Sequence, residues 1–219
     1  MSFRMNFNII KKIAVAAAVF GMTASFSAQK SDAKSKALLD AVAANYKANK
    51  NTYFKFIYGT GNRKVTKTET GIFYATPTQY KLKIMGTEQI FDGTKVYNIS
   101  EEDEEVTVAK ANGNEQMLSP TNYLNTYKRD FNTTYVGKRA VNGVNADLIK
   151  MTPVRNNDLK EVYLFVDAAT NRLVKIEQFS KNNDVATIAV KEYKANQKLS
   201  PDMFTFNKSK YPNYIVTEL

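Results

Sequence analysis

The chain has 219 residues, with 31 Lys and Arg against 21 Asp and Glu and with neither cysteine nor histidine. That composition excludes disulfides, thiol nucleophiles, histidine-containing triads, HExxH hydrolysis and most transition-metal sites. The formal charge of +10 is spread along the sequence without an arginine-rich block, so it favours an anionic surface or an acidic partner over nucleic acid.

Arg4, Lys11 and Lys12 stand in an amino end without acids, residues 13–22 are almost entirely apolar, and Ala24, Ser25, Ser27 and Ala28 are small. These are the three regions of a signal peptide, with an apolar part too short to span a bilayer. Gln29 follows, where a lipid-attachable cysteine would mark an anchored protein. The expectation is a signal peptide over 1–28 and a single released, soluble domain over 29–219, roughly 190 residues, enough for one sizeable core. No later stretch has transmembrane length.

The spacing of Leu38, Val42 and Tyr46, with Leu39 beside them, predicts an amphipathic helix over 32–47, capped by Ser31 or Asp32. Strand character follows at 53–58 and 63–74. In residues 80–84, Tyr80, Leu82 and Ile84 alternate with Lys81 and Lys83, a strand with one apolar side. Residues 89–91 and 95–99 flank Asp92-Gly93, a hairpin signal, and the acidic run 101–105 reads as a solvated hairpin end before a short strand at 106–109. Ser119-Pro120 marks a second helix start, after which Tyr123, Tyr127 and Phe131 fall four apart with Leu124 alongside. Strands are expected at 133–141, 144–151, 159–166, 172–179 and 185–193, separated by turns at Asn142-Gly143, 167–171 and 182–184.

About ten strands at near-regular spacing predict an antiparallel sheet curled toward a barrel. Phe54, Phe56 and Tyr58 share one parity while Tyr53 and Ile57 hold the other, and Val162, Leu164 and Val166 alternate against Tyr163 and Phe165. Such strands need material against both faces, which allows an internal cavity. Thirteen tyrosines and thirteen phenylalanines supply apolar surface, with a polar tip on each tyrosine. Asp158, Glu161 and Asp167 have no acid-base or metal spacing, and the run 101–105 lacks the glycine and alternating ligands of a calcium loop. No catalytic, metal or cofactor residues are assigned.

The order of these elements resembles the LolA family of bacterial periplasmic lipoprotein carriers. The likeness is carried by the opening helix, the strand 53–58, Thr70-Gly71-Ile72-Phe73 with Pro77, and Phe91-Asp92-Gly93-Thr94-Lys95-Val96-Tyr97. It continues through Leu148-Ile149-Lys150-Met151-Thr152-Pro153, the hairpin at 167–172 and Leu199-Ser200-Pro201-Asp202-Met203-Phe204-Thr205-Phe206. The resemblance implies a β-rich α+β fold, an incomplete antiparallel β-barrel of about ten or eleven strands with helices partly closing a hydrophobic cavity. It implies a monomeric, non-enzymatic periplasmic chaperone with no cofactor. Its partners would be acylated lipoproteins, an inner-membrane lipoprotein-releasing ABC transporter and an outer-membrane acceptor, with transient membrane-proximal contacts. Within the matching strands, Phe54, Phe56, Tyr58, Phe73, Tyr80, Leu82 and Ile84 are the acyl-chain cavity candidates, and Tyr123, Leu124, Tyr127 and Phe131 the lid candidates. Met85 and Met151 would add adaptable surface if they face inward. Family members commonly carry an arginine before the proline matching Pro77, where it helps hold the lid shut. This chain has Thr76 there, which cannot supply a guanidinium, leaving Arg63 or Arg139 as substitutes. A related lipid binder or a sensor of acylated proteins is the alternative.

Overall fold

A computed structural model describes residues 31–111 and 122–219; the export signal and Ser119-Pro120 lie outside them. Helix α1, Ala33–Ala48, begins at Asp32, whose carboxylate accepts the Ser35 amide hydrogen at 2.8 Å. That bond satisfies one of the free amides of the first turn. Six strands follow: β1 (Thr52–Asn62), β2 (Lys67–Ala75), β3 (Tyr80–Ile84), β4 (Thr87–Phe91), β5 (Lys95–Ser100) and β6 (Glu105–Lys110). After α2 (Asn122–Asp130) come β7 (Phe131–Val141), β8 (Val144–Pro153), β9 (Leu159–Asp167), β10 (Arg172–Ser180), β11 (Asp184–Ala195) and β12 (Ile215–Glu218). None of the described helices is long and apolar enough to cross a membrane.

The twelve strands form one sheet in the order β12-β6-β5-β4-β3-β2-β1-β11-β10-β9-β8-β7. Pairing is antiparallel except between β12 and β6. This is the expected β-rich open barrel with two helices against it. Two differences are instructive. β12 is absent from the sequence expectation, because four residues are too few to show a period and their partner strand lies far back in the chain. Phe131, placed on the lid helix by its spacing, is instead the first residue of β7, since α2 ends at Asp130 and the chain passes directly into pairing with Pro153.

Turn chemistry sets the register. Asn142 and Gly143 take φ of 51° and 79°, the left-handed pair that joins two strands with the twist of the sheet. Met85-Gly86 does the same between β3 and β4, with φ of 50° and 69°. Met85 therefore sits exposed on a hairpin tip, whereas Met151 is fully buried.

Register also decides which side of each two-sided strand is the interior. Phe54 lies opposite Phe73, which lies opposite Leu82, so these three point to one face. That face meets α1 and α2 in the main core, which joins Leu39, Val42, Leu124 and Tyr127 to Phe54, Phe56, Phe73, Tyr80, Ile149 and Leu164. The other face carries two smaller clusters. Ala146, Leu148, Phe165 and Val174 pack outside β8–β10. Ile90, Ile99, Val106 and Val108 lie under the carboxy-terminal segment, whose Phe206 stacks on Tyr97 at 4.9 Å between ring centres.

Candidate functional site

All seven cavity candidates point to the inner face of the sheet, six of them into the core that meets the helices. Phe54, Phe56, Phe73, Tyr80, Leu82 and Ile84 are buried in the main core, and Tyr58 packs against its margin. Their rings are in mutual contact: Phe54 to Phe73 at 6.3 Å and Phe73 to Tyr80 at 5.8 Å. Glycine has a particular place here. A Cβ at Gly71 would come within 2.3 Å of the Phe56 ring, so the bare backbone of β2 gives that ring its seat.

Open space occurs at the margins of this core. One cavity of about 220 Å³ lies where the end of α1 and the start of α2 meet the ends of β1 and β2. Ala43, Tyr46, Thr52, Ala75, Pro77 and Leu124 are among its walls. Tyr46, not among the sequence candidates, organises this end. Its ring meets Phe54 at 5.7 Å and Tyr193 at 5.6 Å, and its hydroxyl oxygen accepts the Leu173 amide hydrogen at 3.1 Å. Burial holds its hydroxyl pKa well above the ordinary tyrosine value. The helical spacing of Tyr46 with Leu38 and Val42 is the sequence signal that points to it.

Thr76 also borders this cavity, and its hydroxyl is engaged locally. It accepts the Gln79 amide hydrogen at 3.0 Å and thereby closes the β2–β3 turn. The suggested substitutes for a latch are elsewhere: Arg63 is exposed beyond β1, and Arg139 is exposed on β7. The helices are tied by different residues. Asp40 of α1 accepts a hydrogen bond from the Tyr127 hydroxyl of α2 at 2.5 Å and pairs with Lys128 at 2.6 Å and Lys36 at 2.9 Å. Lys128, then Lys36 and Tyr127, hold the Asp40 carboxyl well below the usual carboxylate range. Burial, reinforced by the bond to Asp40, pushes Tyr127 up.

Of the other lid candidates, Leu124 reaches the cavity and Tyr123 turns toward β10. The Tyr123 hydroxyl donates to Gln178 Oε1 at 2.7 Å, and burial pushes its pKa up to about 12. Phe131, although on β7, still meets the Tyr123 ring edge-on at 5.7 Å. Toward β4 and β5 the interior becomes polar: Tyr80 donates to Gln89 at 2.7 Å, and Gln89 donates to Asn98 at 2.6 Å.

Two open grooves, of about 430 and 550 Å³, occupy the opposite end of the sheet and share Tyr58, Thr60 and Lys67. Two of the acids weighed in the sequence are engaged structurally. Glu161 pairs with Lys150 at 2.6 Å, and Asp167 accepts from Ala169 and Thr170 within its turn. Among the described residues no group of three acids is placed to hold a metal ion.

An open, mostly antiparallel sheet thus has its apolar face covered by two clasped helices, with space at both ends of the covered region. The chain belongs to the outer membrane lipoprotein carrier protein LolA family, whose model matches residues 52–207. Helix α1 and β12 lie outside that match.

One solved structure shares the fold, and others are similar to a lesser degree. An uncharacterized conserved protein from Thermus thermophilus is 12% identical, covers 85% of this chain and 99% of its own, and superposes with a TM-score of 0.60. A LolA superfamily protein from Nitrosomonas europaea is 10% identical over 78% of this chain and 97% of its own, with a TM-score of 0.41. Lipoprotein LppX from Mycobacterium tuberculosis is 12% identical over 75% and 98%, with a TM-score of 0.45. No curated protein sequence matches the chain.

Proposed function

We propose that this protein is a diffusible periplasmic carrier that shields the acyl chains of lipoproteins. It would take them from an inner-membrane releasing transporter and hand them to an outer-membrane acceptor. The observation that carries this reading is the aromatic face of Phe54, Phe56, Phe73 and Tyr80 beneath helices tied to one another by a clasp at the surface. Separating the helices from the sheet would uncover a continuous apolar surface without breaking the strand ladder.

Magnitudes favour such opening. A cavity of about 150 Å³ accommodates one benzene, so the 220 Å³ cavity holds only a fragment of an acyl chain while the helices are closed. Fifteen methylenes withdrawn into water cost about 12 kcal/mol, at about 0.8 kcal/mol each. A carrier has to offset most of that cost yet leave a gradient toward the acceptor. Loosely specific ring surfaces suit that requirement better than a pocket matched to one ligand.

The test is to incubate the mature protein with inner-membrane vesicles carrying acylated lipoproteins, then present the soluble fraction to an outer-membrane acceptor. Recovery and delivery of intact lipoprotein are expected. Copurification of free lipids alone, or undiminished delivery by a folded variant stripped of the aromatic face, would count against the carrier.

A further inference from the structure

The two ends of the covered interior are unlike. At the Thr76 end, α1 and α2 form much of the cavity wall, through residues such as Tyr46 and Leu124. At the other end the grooves over Tyr58, Thr60 and Lys67 have no helix residue among their described walls. Cross-strand register makes their floor continuous with the core: Thr60 lies beside Ala186, which lies beside Gln178, the acceptor of the Tyr123 bond.

The chemistry changes along this path. Phe54 and Phe56 give way on the same face of β1 to Tyr58 and Thr60, and on the neighbouring β2 to Glu69 and Lys67. Neither Lys67 nor Glu69 forms an ion pair with a described residue, while Asp184 accepts hydrogen bonds from Asn62 and Asn182. A rim of mixed charge and hydroxyls has no excess of cations for a phosphate. It suits the neutral ester groups and first peptide bonds that join acyl chains to a polypeptide.

Resting on the carrier reading, we propose that lipidated cargo enters and leaves between the β1–β2 and β3–β4 hairpins. Its acyl chains run toward Phe56, its peptide crosses Tyr58, Thr60 and Lys67 into solvent, and Tyr123–Gln178 forms the inner bar. The occupant of these grooves is therefore the polar linker of a lipid-anchored polypeptide.

A photo-crosslinking amino acid placed singly at Thr60, Met85, Thr76 or Asn125 tests the direction, with a synthetic peptide bearing diacylglyceryl-cysteine as probe. Crosslinks to the peptide portion are expected from positions 60 and 85 and not from 76 and 125. The reverse pattern would overturn the proposal while leaving the carrier intact. Capture of only a phospholipid headgroup at position 60 would also overturn it, and absence of saturable lipopeptide binding would remove the carrier reading as well. In a second arm, Ala186→Trp should weaken lipopeptide binding about tenfold, roughly 1.4 kcal/mol, and palmitate much less, since palmitate has no peptide to pass out. Equal loss for both ligands would contradict the assignment.

Discussion

Asp40 on α1 and Tyr127 on α2 share a 2.5 Å hydrogen bond, and Lys128 reaches the same carboxylate oxygen. The bond joins two helices that otherwise meet mainly through apolar packing above the sheet. Its residues stand on the helices themselves, whereas the family resemblance would place a latching arginine before Pro77, where this chain has Thr76.

Replacing Asp40 with Asn should therefore loosen the helices more than the sheet. The pairs are partly exposed, so the expected loss of stability is modest, about 1 kcal/mol or less. Hydrogen exchange should rise in α1 and α2 while β1, β9 and β10 stay protected, and acyl-probe uptake should quicken. Uniform acceleration of exchange would show that Asp40 serves global stability and not a clasp.

The pH response follows from the same carboxylate. Its folded-state pKa is depressed, so its stabilising contribution is complete above the ordinary aspartate pKa, about 3.9. Below that it fades, and it is lost as pH falls through the depressed folded value. Thermal melts from pH 6 downward should converge for wild type and Asp40→Asn only in this acidic range; a constant difference would refute the linkage.

Gly71→Ala tests the fit of the aromatic floor. The new methyl would meet the Phe56 ring at a distance that requires the ring to move. A loss of about 1–3 kcal/mol is expected, with altered near-ultraviolet circular dichroism. An unchanged denaturation midpoint would show that the ring relocates freely.

Tyr46→Phe removes the hydroxyl that accepts from Leu173 and leaves the ring contacts with Phe54 and Tyr193 in place. Leaving that amide without its acceptor should cost about 1–3 kcal/mol. Urea denaturation measures it, and faster exchange of the Leu173 amide should accompany the change.

Ending the chain after Lys198 should uncover the outer cluster of Ile90, Ile99, Val106 and Val108, which Phe206, Tyr211 and Tyr214 help cover. Increased binding of a hydrophobic dye and a tendency to associate are expected. A monodisperse product with unchanged dye binding would show that this segment is dispensable.

Much of the fold is legible in the sequence because its signals are local. Asn142-Gly143 announces a hairpin, and the strict alternation at residues 80–84 announces a one-sided strand. The aromatic candidates are legible as a face but not as space: six of the seven are packed in the closed core, while Tyr58 borders open grooves. Phe131 is misplaced by its spacing because the four-residue repeat of a helix carries no mark of where the helix stops.

The sequence by itself determined the chemistry available to this protein, the strand-rich pattern and most turns, since composition, alternation and left-handed turn residues act over a few positions. Tertiary structure alone decided the rest. It chose the inward side of strands apolar on both sides, brought Asp40 to Tyr127, engaged Thr76 in a turn and left the Tyr58 grooves with no helix residue among their described walls. The physical reason is that each of these depends on pairing or packing between residues remote in the chain, where local periodicity carries no register.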